Sequence, residues 1–319
     1  MSKRVEYTAI GKVKSALQCV KEIIGKLKRN ITMPLDIKTY WDIKGEPVAT
    51  TPTTWEVEGK YILKLVKADD NVHSNIRLSA ALRADGVPVP HILPTKDGRD
   101  YVATQEGCYL LMEKLEGSHV REVFQQDYAA IAYQTGIIIA KVHCALMTIT
   151  HIQIDRPPFD EELRGWISNG LSAGNLLTQE EWSKPIEELC RIYPLLPKQQ
   201  IHRDLHYGNL LFEGTTLTGV LDFDLGKQDA RLFDIAYFLL GQLSGQKDLA
   251  EIKDKWLTFV SHFLSGYESI NVLEENEKKA LPFMMQCIEL MFMVFWQRQA
   301  NQEAAEETIN ILKFVKQML

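Results

Sequence analysis

Near Gly117 the chain changes character. Upstream, residues 39–70 read TYWDIKGEPVATTPTTWEVEGKYILKLVKADD, rich in Thr, Val, Ile, Tyr and Trp and broken by Gly45, Pro47, Pro52 and Gly59. That composition and punctuation predict three short strands in a meander. A helical pattern follows from about His73 to Asp85 and is closed by Gly86; the prolines of VPVP then forbid helix and favour an extended connection. RDYVATQEG and CYLLMEKLEG predict a hairpin turning at Gly107, which brings the expected strands to about five. Downstream, apolar residues recur at helical spacing over 125–146, 160–171, 178–192, a long run from about Arg231, 248–266 and two segments near the C-terminus. The exception is IHRDLHYGNLLFEG with LTGVLDFDLG behind it, which predicts a small strand pair. A β-rich first third joined to a helical remainder is an α+β arrangement of two lobes.

Composition narrows the function classes. The chain has 319 residues, enough for two lobes with separate cores, and its net charge of −6 gives no overall field that would gather nucleic acid. The first 30 residues hold eight Lys or Arg against two Glu, but Val13, Leu17, Val20, Ile23, Ile24 and Leu27 fall on one helical stripe, so the basic residues read as its solvated face. Five cysteines are scattered and show no C-x-x-C spacing, so neither a disulfide framework nor a zinc site is indicated and a reducing cytoplasm fits. No apolar core of about 7–15 residues follows the N-terminal charges, so no signal peptide is expected. The stretch FMMQCIELMFMVFW, residues 283–296, is shorter than the ~20 residues a membrane span needs. It also contains Gln286 and Glu289, and reads as a buried helix.

Chemistry concentrates in one loop. His202, Arg203, Asp204 and Leu205, followed by Asn209, have the spacing H-R-D-L-x-x-x-N of a phosphoryl-transfer loop. Such transfer needs a carboxylate at the attacking hydroxyl and, close by, an oxygen ligand for the metal that bridges the phosphates; a tight loop can hold both. Thirteen residues beyond Asn209, VLDFD offers Asp222 as a second metal carboxylate, and YILKL offers Lys64 to neutralise phosphate charge. A solvated turn explains a lone H-x-D, but not Asn209, Asp222 and Lys64 in register with it. A zinc site from His202, Asp204 and His206 lacks a fourth ligand at suitable spacing.

With these residues in place the chain resembles the aminoglycoside phosphotransferase and homoserine kinase type II family, which has the protein-kinase-like fold. The resemblance covers roughly residues 35–300. His206 and Gly208 in HRDLHYGN, and DFD where protein kinases have D-F-G, tilt it toward the small-molecule kinases. ALRADGVPVP, LLMEKLEG and RLFDIAYFL point the same way. The resemblance implies an N-lobe over residues 1–112 with an N-terminal helix, a five-stranded antiparallel sheet and one helix. It further implies a hinge at 113–117 and a helical C-lobe over 118–319. ATP and Mg2+ would be the cofactors. Asp204 would be the base, Asn209 and Asp222 the metal ligands, and Lys64 the group on the α and β phosphates. Thr51 and Thr53 stand in the turn that covers the phosphates, without a glycine-rich loop, and Glu113 and Leu115 would present main-chain groups to adenine. His202, His206 and Asp234 would support the loop, although Asp234 also fits a helix N-cap. Asp224 could bind substrate or metal, or cap a turn.

One departure stands out. The family pairs its strand lysine with a Glu on the next helix, where this chain has Asn75, and no Glu occurs between Glu58 and Glu106. Lys64 must then be oriented by Asn75, by Asp69 or Asp70, or by the nucleotide. For the acceptor, a small-molecule hydroxyl is expected. Asp155, Asp160, Glu161 and Glu162 make the segment HIQIDRPPFDEELRGWISNG acidic, which suits a cationic acceptor such as an aminoglycoside or amino alcohol, though acidic residues also favour a helix start. A stress-type protein Ser/Thr kinase and a regulatory pseudokinase are the alternative readings. Neither a nucleic acid nor a membrane is an expected partner, and a monomer or homodimer is the expected state.

Overall fold

The computed structural model describes residues 35–68, 71–125 and 127–318. The helix expected over residues 11–29, and Asp69 with Asp70, lie outside the described residues. The first element, α1 (Ile37–Tyr40), is a single turn whose N-cap Asp36 accepts from the Lys38 amide. The meander follows as β1 (Val48–Thr51), β2 (Thr54–Val57) and β3 (Tyr61–Val66). Trp55 and Val57 on β2 and Leu63 on β3 enter a cluster with Trp41 and Tyr109 on one face of the sheet, as the two-residue period of a strand requires.

Next come α2 (Val72–Ala84), β4 (Ile92–Leu93), β5 (Val102–Ala103) and β6 (Cys108–Glu113). The sheet runs β1-β2-β3-β6-β4, with β5 also on β6. It has six strands rather than five, because the chain leaving VPVP is already extended and lies antiparallel along β6, Ile92 opposite Met112. The β5–β6 hairpin turns on Gly107 (φ 148°); a Cβ there would lie 2.3 Å from the Val66 carbonyl oxygen, so only glycine fits. Helix α2 belongs to both lobes: Val72 and Ile76 pack with Leu110 under the sheet, while Leu78 and Leu82 join the core of the helical lobe.

The helical lobe begins with α3 (Tyr128–Thr148). The single helix expected over 160–171 is broken into α4 (Phe159–Glu162), a π turn over Leu163–Ile167 and α5 (Ser168–Ala173), with the kink at Gly165. Then come α6 (Gln179–Ile192), β7 (Lys198–Ile201), β8 (Leu210–Glu213), β9 (Thr216–Val220) and β10 (Lys227–Ala230). β8 pairs with β9 as the sequence suggests, and a second pair, β7 with β10, encloses it. Helix α7 (Leu232–Gly241) is ten residues, not the long helix expected. The chain stops at Gly241 and restarts where Asp248 caps α8 (Leu249–Glu268). Helices α9 (Glu275–Arg298) and α10 (Gln302–Met318) complete the lobe. α3 and α9 are long and apolar enough to cross a membrane by length and composition. Both supply buried residues to the main core, among them Ile139 and Leu146 from α3 and Met284, Ile288 and Leu290 from α9.

Candidate active site

The loop between β7 and β8 is held at both ends by its strands, Ile201 pairing with Lys227 and Leu210 with Val220. Its interior is organised by Asp234 on α7, which is fully buried. Asp234 Oδ2 accepts the His202 amide at 2.7 Å and Oδ1 accepts the Arg203 amide at 2.8 Å. These two bonds hold Arg203 in a left-handed conformation, φ 70°, which a non-glycine residue keeps only when its surroundings enforce it. Asp234 lies inside the first turn of α7, whose N-cap is Arg231. Burial alone would raise its pKa; the His143 hydrogen bond and the nearby His143 and His202 outweigh this and hold it below the ordinary carboxylate value.

His202 ties the loop to the segment that follows β9: Nε2 bonds the Leu221 carbonyl oxygen at 2.8 Å while Nδ1 faces the Asp204 amide at 3.3 Å. Asp204, 4 % exposed, therefore has its backbone fixed. Its Oδ1 accepts the Tyr237 hydroxyl at 2.7 Å and its Oδ2 accepts Asn209 Nδ2 at 3.2 Å. The same Asn209 nitrogen donates to the Asp204 carbonyl at 2.8 Å. His206 accepts the Gly208 amide through Nδ1 at 3.0 Å, which leaves its buried Nε2 directed at Asp204 Oδ2, 3.7 Å away, without a hydrogen bond.

Across the cleft, Asp222 also has a left-handed backbone, φ 67°. Lys64 Nζ lies 2.8 Å from Asp222 Oδ1 and 2.7 Å from Asp224 Oδ2. Burial disfavours the lysine's charge, yet the two carboxylates outweigh it and raise the pKa. Asn75 does not orient Lys64; it donates to the Asp224 carbonyl at 3.1 Å, steadying the carboxylate segment instead.

Two cavities meet here. One, about 480 Å³, is floored by Val66, Ile76, Ile92, Leu110 and Met112 and bears Lys64, Asp222, Asp224 and Thr53 at its polar end. The other, about 300 Å³, contains Asp204, Glu162, Trp166, Tyr237, Phe292 and Phe295. Thr53 faces the first cavity with its hydroxyl oxygen buried and unbonded, whereas Thr51 is exposed and turned to the Thr53 amide.

Glu113, Leu115, Asp160 and Glu161 lie outside the two cavity linings. Glu113 and Leu115 do not line the first cavity, and the Glu113 amide donates to His91 at 2.8 Å while its carboxylate meets Arg83. Asp160 is committed to Arg164 and Glu161 is exposed; neither lines the second cavity. Glu162 does, and it pairs with Arg203 at 2.6 Å and with Lys227 at 2.8 Å. Tyr237 escaped sequence reasoning, although it stands three residues beyond Asp234 and so on the same helical face. Lys227 carried no sequence signal at all.

A small antiparallel sheet followed by a helical lobe that carries the H-x-D loop between β7 and β8 is the protein-kinase-like fold. Residues 48–268 match the phosphotransferase enzyme family, and the chain belongs to it. It is similar to the homoserine kinase of Pseudomonas aeruginosa, 27% identical over 217 residues, which is 65% of this chain and 66% of that protein, just under two thirds of the relative's length. Among solved structures it is similar to an amicoumacin kinase in complex with AMP-PNP and Ca2+ (TM-score 0.66, 18% identity, 92% of this chain and 95% of that one). It is also similar to a microcompartment-associated aminopropanol kinase (TM-score 0.64, 20% identity, 88% and 93% covered).

Proposed function

We propose that this protein is an ATP-dependent kinase that moves the γ-phosphoryl group to a hydroxyl of a small molecule. The observation that carries the reading is the adjoining of the two cavities, with Asp204 in one and Lys64, Asp222 and Asp224 in the other. ATP fits the larger cavity, its base against the apolar floor and its phosphates toward Lys64. Asp204 accepts the hydroxyl proton as the acceptor oxygen attacks phosphorus, and the hydrogen bond from Tyr237 keeps the carboxylate aimed.

A Mg2+ site fits these residues. The Asn209 amide nitrogen is committed to Asp204, which leaves Oδ1 for a cation, and Asp222 supplies a carboxylate; hard oxygen donors suit this ion. Bound there, the ion would neutralise phosphate charge.

The acceptor is expected to carry a hydrophobic or ring-bearing body, since Trp166, Phe292 and Phe295 wall its cavity. Homoserine and amino alcohols, the acceptors named for relatives, belong in the first screen with aminoglycosides, choline, methylthioribose and macrolides, read by ADP release. Mg2+-dependent ATP binding that survives Asp204→Asn but is lost in Asp222→Ala supports the assignment. Phosphorylation of a basic protein with no signal from any small acceptor refutes it.

A further inference from the structure

His206 caps the single turn Tyr207–Asn209 inside the β7–β8 loop, and its ring is buried. Nδ1 accepts the Gly208 amide at 3.0 Å. Nε2 is buried too, has no hydrogen-bond partner among the described residues and lies 3.7 Å from Asp204 Oδ2. Resting on the kinase reading above, we propose that His206 is a positioning residue whose Nε2–H donates to Asp204 Oδ2 once nucleotide and acceptor are bound. A carboxylate offers about four lone pairs. Tyr237 takes one on Oδ1 and Asn209 one on Oδ2; His206 takes the second on Oδ2, so the incoming hydroxyl meets Oδ1. In the transfer a bond forms between the acceptor oxygen and phosphorus, the bond from phosphorus to the β,γ-bridging oxygen breaks, the hydroxyl proton passes to Asp204 Oδ1 and ADP leaves. His206 keeps its own proton throughout.

Three features of the loop support this. The first is the tautomer. An amide N–H can donate to Nδ1 only if that nitrogen offers a lone pair, so the ring proton sits on Nε2. The atom that faces Asp204 is therefore a donor. The second is the seat of the ring. A Cβ at position 208 would stand 2.6 Å from His206 Cε1 and 2.8 Å from Nδ1, so any side chain there would displace the imidazole. Gly208 thus supplies both the amide that sets the tautomer and the space that the ring fills.

The third is an imbalance between the two oxygens of Asp204. Oδ1 has the Tyr237 hydroxyl at 2.7 Å, whereas Oδ2 has Asn209 Nδ2 at 3.2 Å, and that nitrogen is nearer, at 2.8 Å, to the Asp204 carbonyl oxygen. Oδ2 is the less firmly held oxygen, and the unused donor stands beside it. An advance of about 0.8 Å brings Nε2 from 3.7 Å to an ordinary N–H···O distance of about 2.9 Å. Catalytic hydrogen bonds that are long in the resting protein commonly tighten to this degree in the substrate complex. A buried donor without an acceptor costs free energy at rest, and the bond formed in the working complex removes that cost.

The test uses the full chain with His206→Asn and His206→Gln, which separate the two nitrogens. The Asn amide oxygen stands near the place of Nδ1 and keeps an acceptor for Gly208; the longer Gln carries its NH2 to the place of Nε2 and keeps a donor for Asp204. Stability is read by urea denaturation, and ATP turnover with water as the acceptor. His206→Asn should be the more stable variant yet lose about 10–100-fold in kcat, the worth of one hydrogen bond to a charged group, with KM for ATP little changed. His206→Gln should have the lower urea midpoint yet recover turnover to within about threefold of wild type. A ring that only packs would make turnover follow stability, so Asn turning over faster than Gln, or at the wild-type rate, overturns the role. A second measurement does not depend on turnover. In protein labelled with 15N at histidine, the His206 Nε2–H signal, identified by its loss in the variants, should move downfield when Mg2+·ADP and aluminium fluoride bind. Binding without that movement overturns this inference alone. Failure of the wild type to bind Mg2+·ADP overturns the kinase reading, and this inference with it.

Discussion

Replacing Asp234 with alanine should damage stability before it damages chemistry. The carboxylate is fully buried and accepts two backbone amides, from His202 at 2.7 Å and Arg203 at 2.8 Å, while His143 Nε2 stands 3.3 Å from Oδ2. In Asp234→Ala both amides are left unsatisfied at about 1–3 kcal/mol each, so the expected loss is about 2–6 kcal/mol. A folded domain has only about 5–15 kcal/mol in all, which puts this variant near the edge of folding. Asp234→Asn keeps one acceptor oxygen and should lose about half as much.

Urea denaturation followed by the fluorescence of the six tryptophans measures both variants. Acid adds a second readout. The folded carboxyl titrates below its ordinary value, because His143 and the loop amides outweigh burial, so its stabilisation is complete above about pH 4 and is lost as pH falls through the lower folded value. Wild type should therefore lose stability on acidification through that window by more than Asp234→Asn does. An Asp234→Ala protein within 0.5 kcal/mol of wild type, a bound set by the usual scatter of about 0.5 kcal/mol for neutral surface changes, would refute the reasoning.

Lys64→Met removes the cation between Asp222 and Asp224 and should cost the nucleotide-free protein about 3 kcal/mol in thermal or urea denaturation, as well as weakening ATP binding. Tyr237→Phe keeps the ring against Phe233 and Phe292 but deletes the donor to Asp204 Oδ1; kcat should fall about 10-fold or more with the ATP affinity unchanged, as measured by steady-state kinetics beside calorimetry. Gly266→Ala places a Cβ 2.0 Å from the Tyr133 carbonyl oxygen where α8 crosses α3, so a loss of about 1–3 kcal/mol or more in urea denaturation is expected.

The lobes and the loop were legible because each has a local signature. The meander shows in the Thr and Val content of residues 48–66, and the loop in the H-R-D-L-x-x-x-N spacing, which is covalent. What sequence missed depends on contacts between distant segments. β4 became a strand only because β6 offered it an edge, two residues being too few to declare themselves. The burial of Glu162 in ion pairs could not be read because its partners, Arg203 and Lys227, lie more than 40 residues downstream. The bond from the Glu113 amide to the His91 carbonyl, between the end of β6 and the connection before β4, was equally invisible in the sequence.

The absence of a glutamate partner for Lys64 has a consequence for how the lobes work together. Such a glutamate would orient the lysine from within the N-lobe. Here the orienting carboxylates, Asp222 and Asp224, come from the far side of the cleft, so the ion pair also ties β3 to the helical lobe. Asp222 cannot give its full charge both to Lys64 and to a divalent cation. On the kinase reading proposed above, entry of nucleotide and a cation would exchange part of the Lys64 hold on Asp222 for phosphate oxygens, with Asp224 left as the carboxylate that keeps it in place. Asn75, through the Asp224 carbonyl, then steadies that second carboxylate rather than the lysine. An asparagine at the glutamate position is therefore compatible with an ordered lysine, because the charge it lacks is supplied from the other lobe.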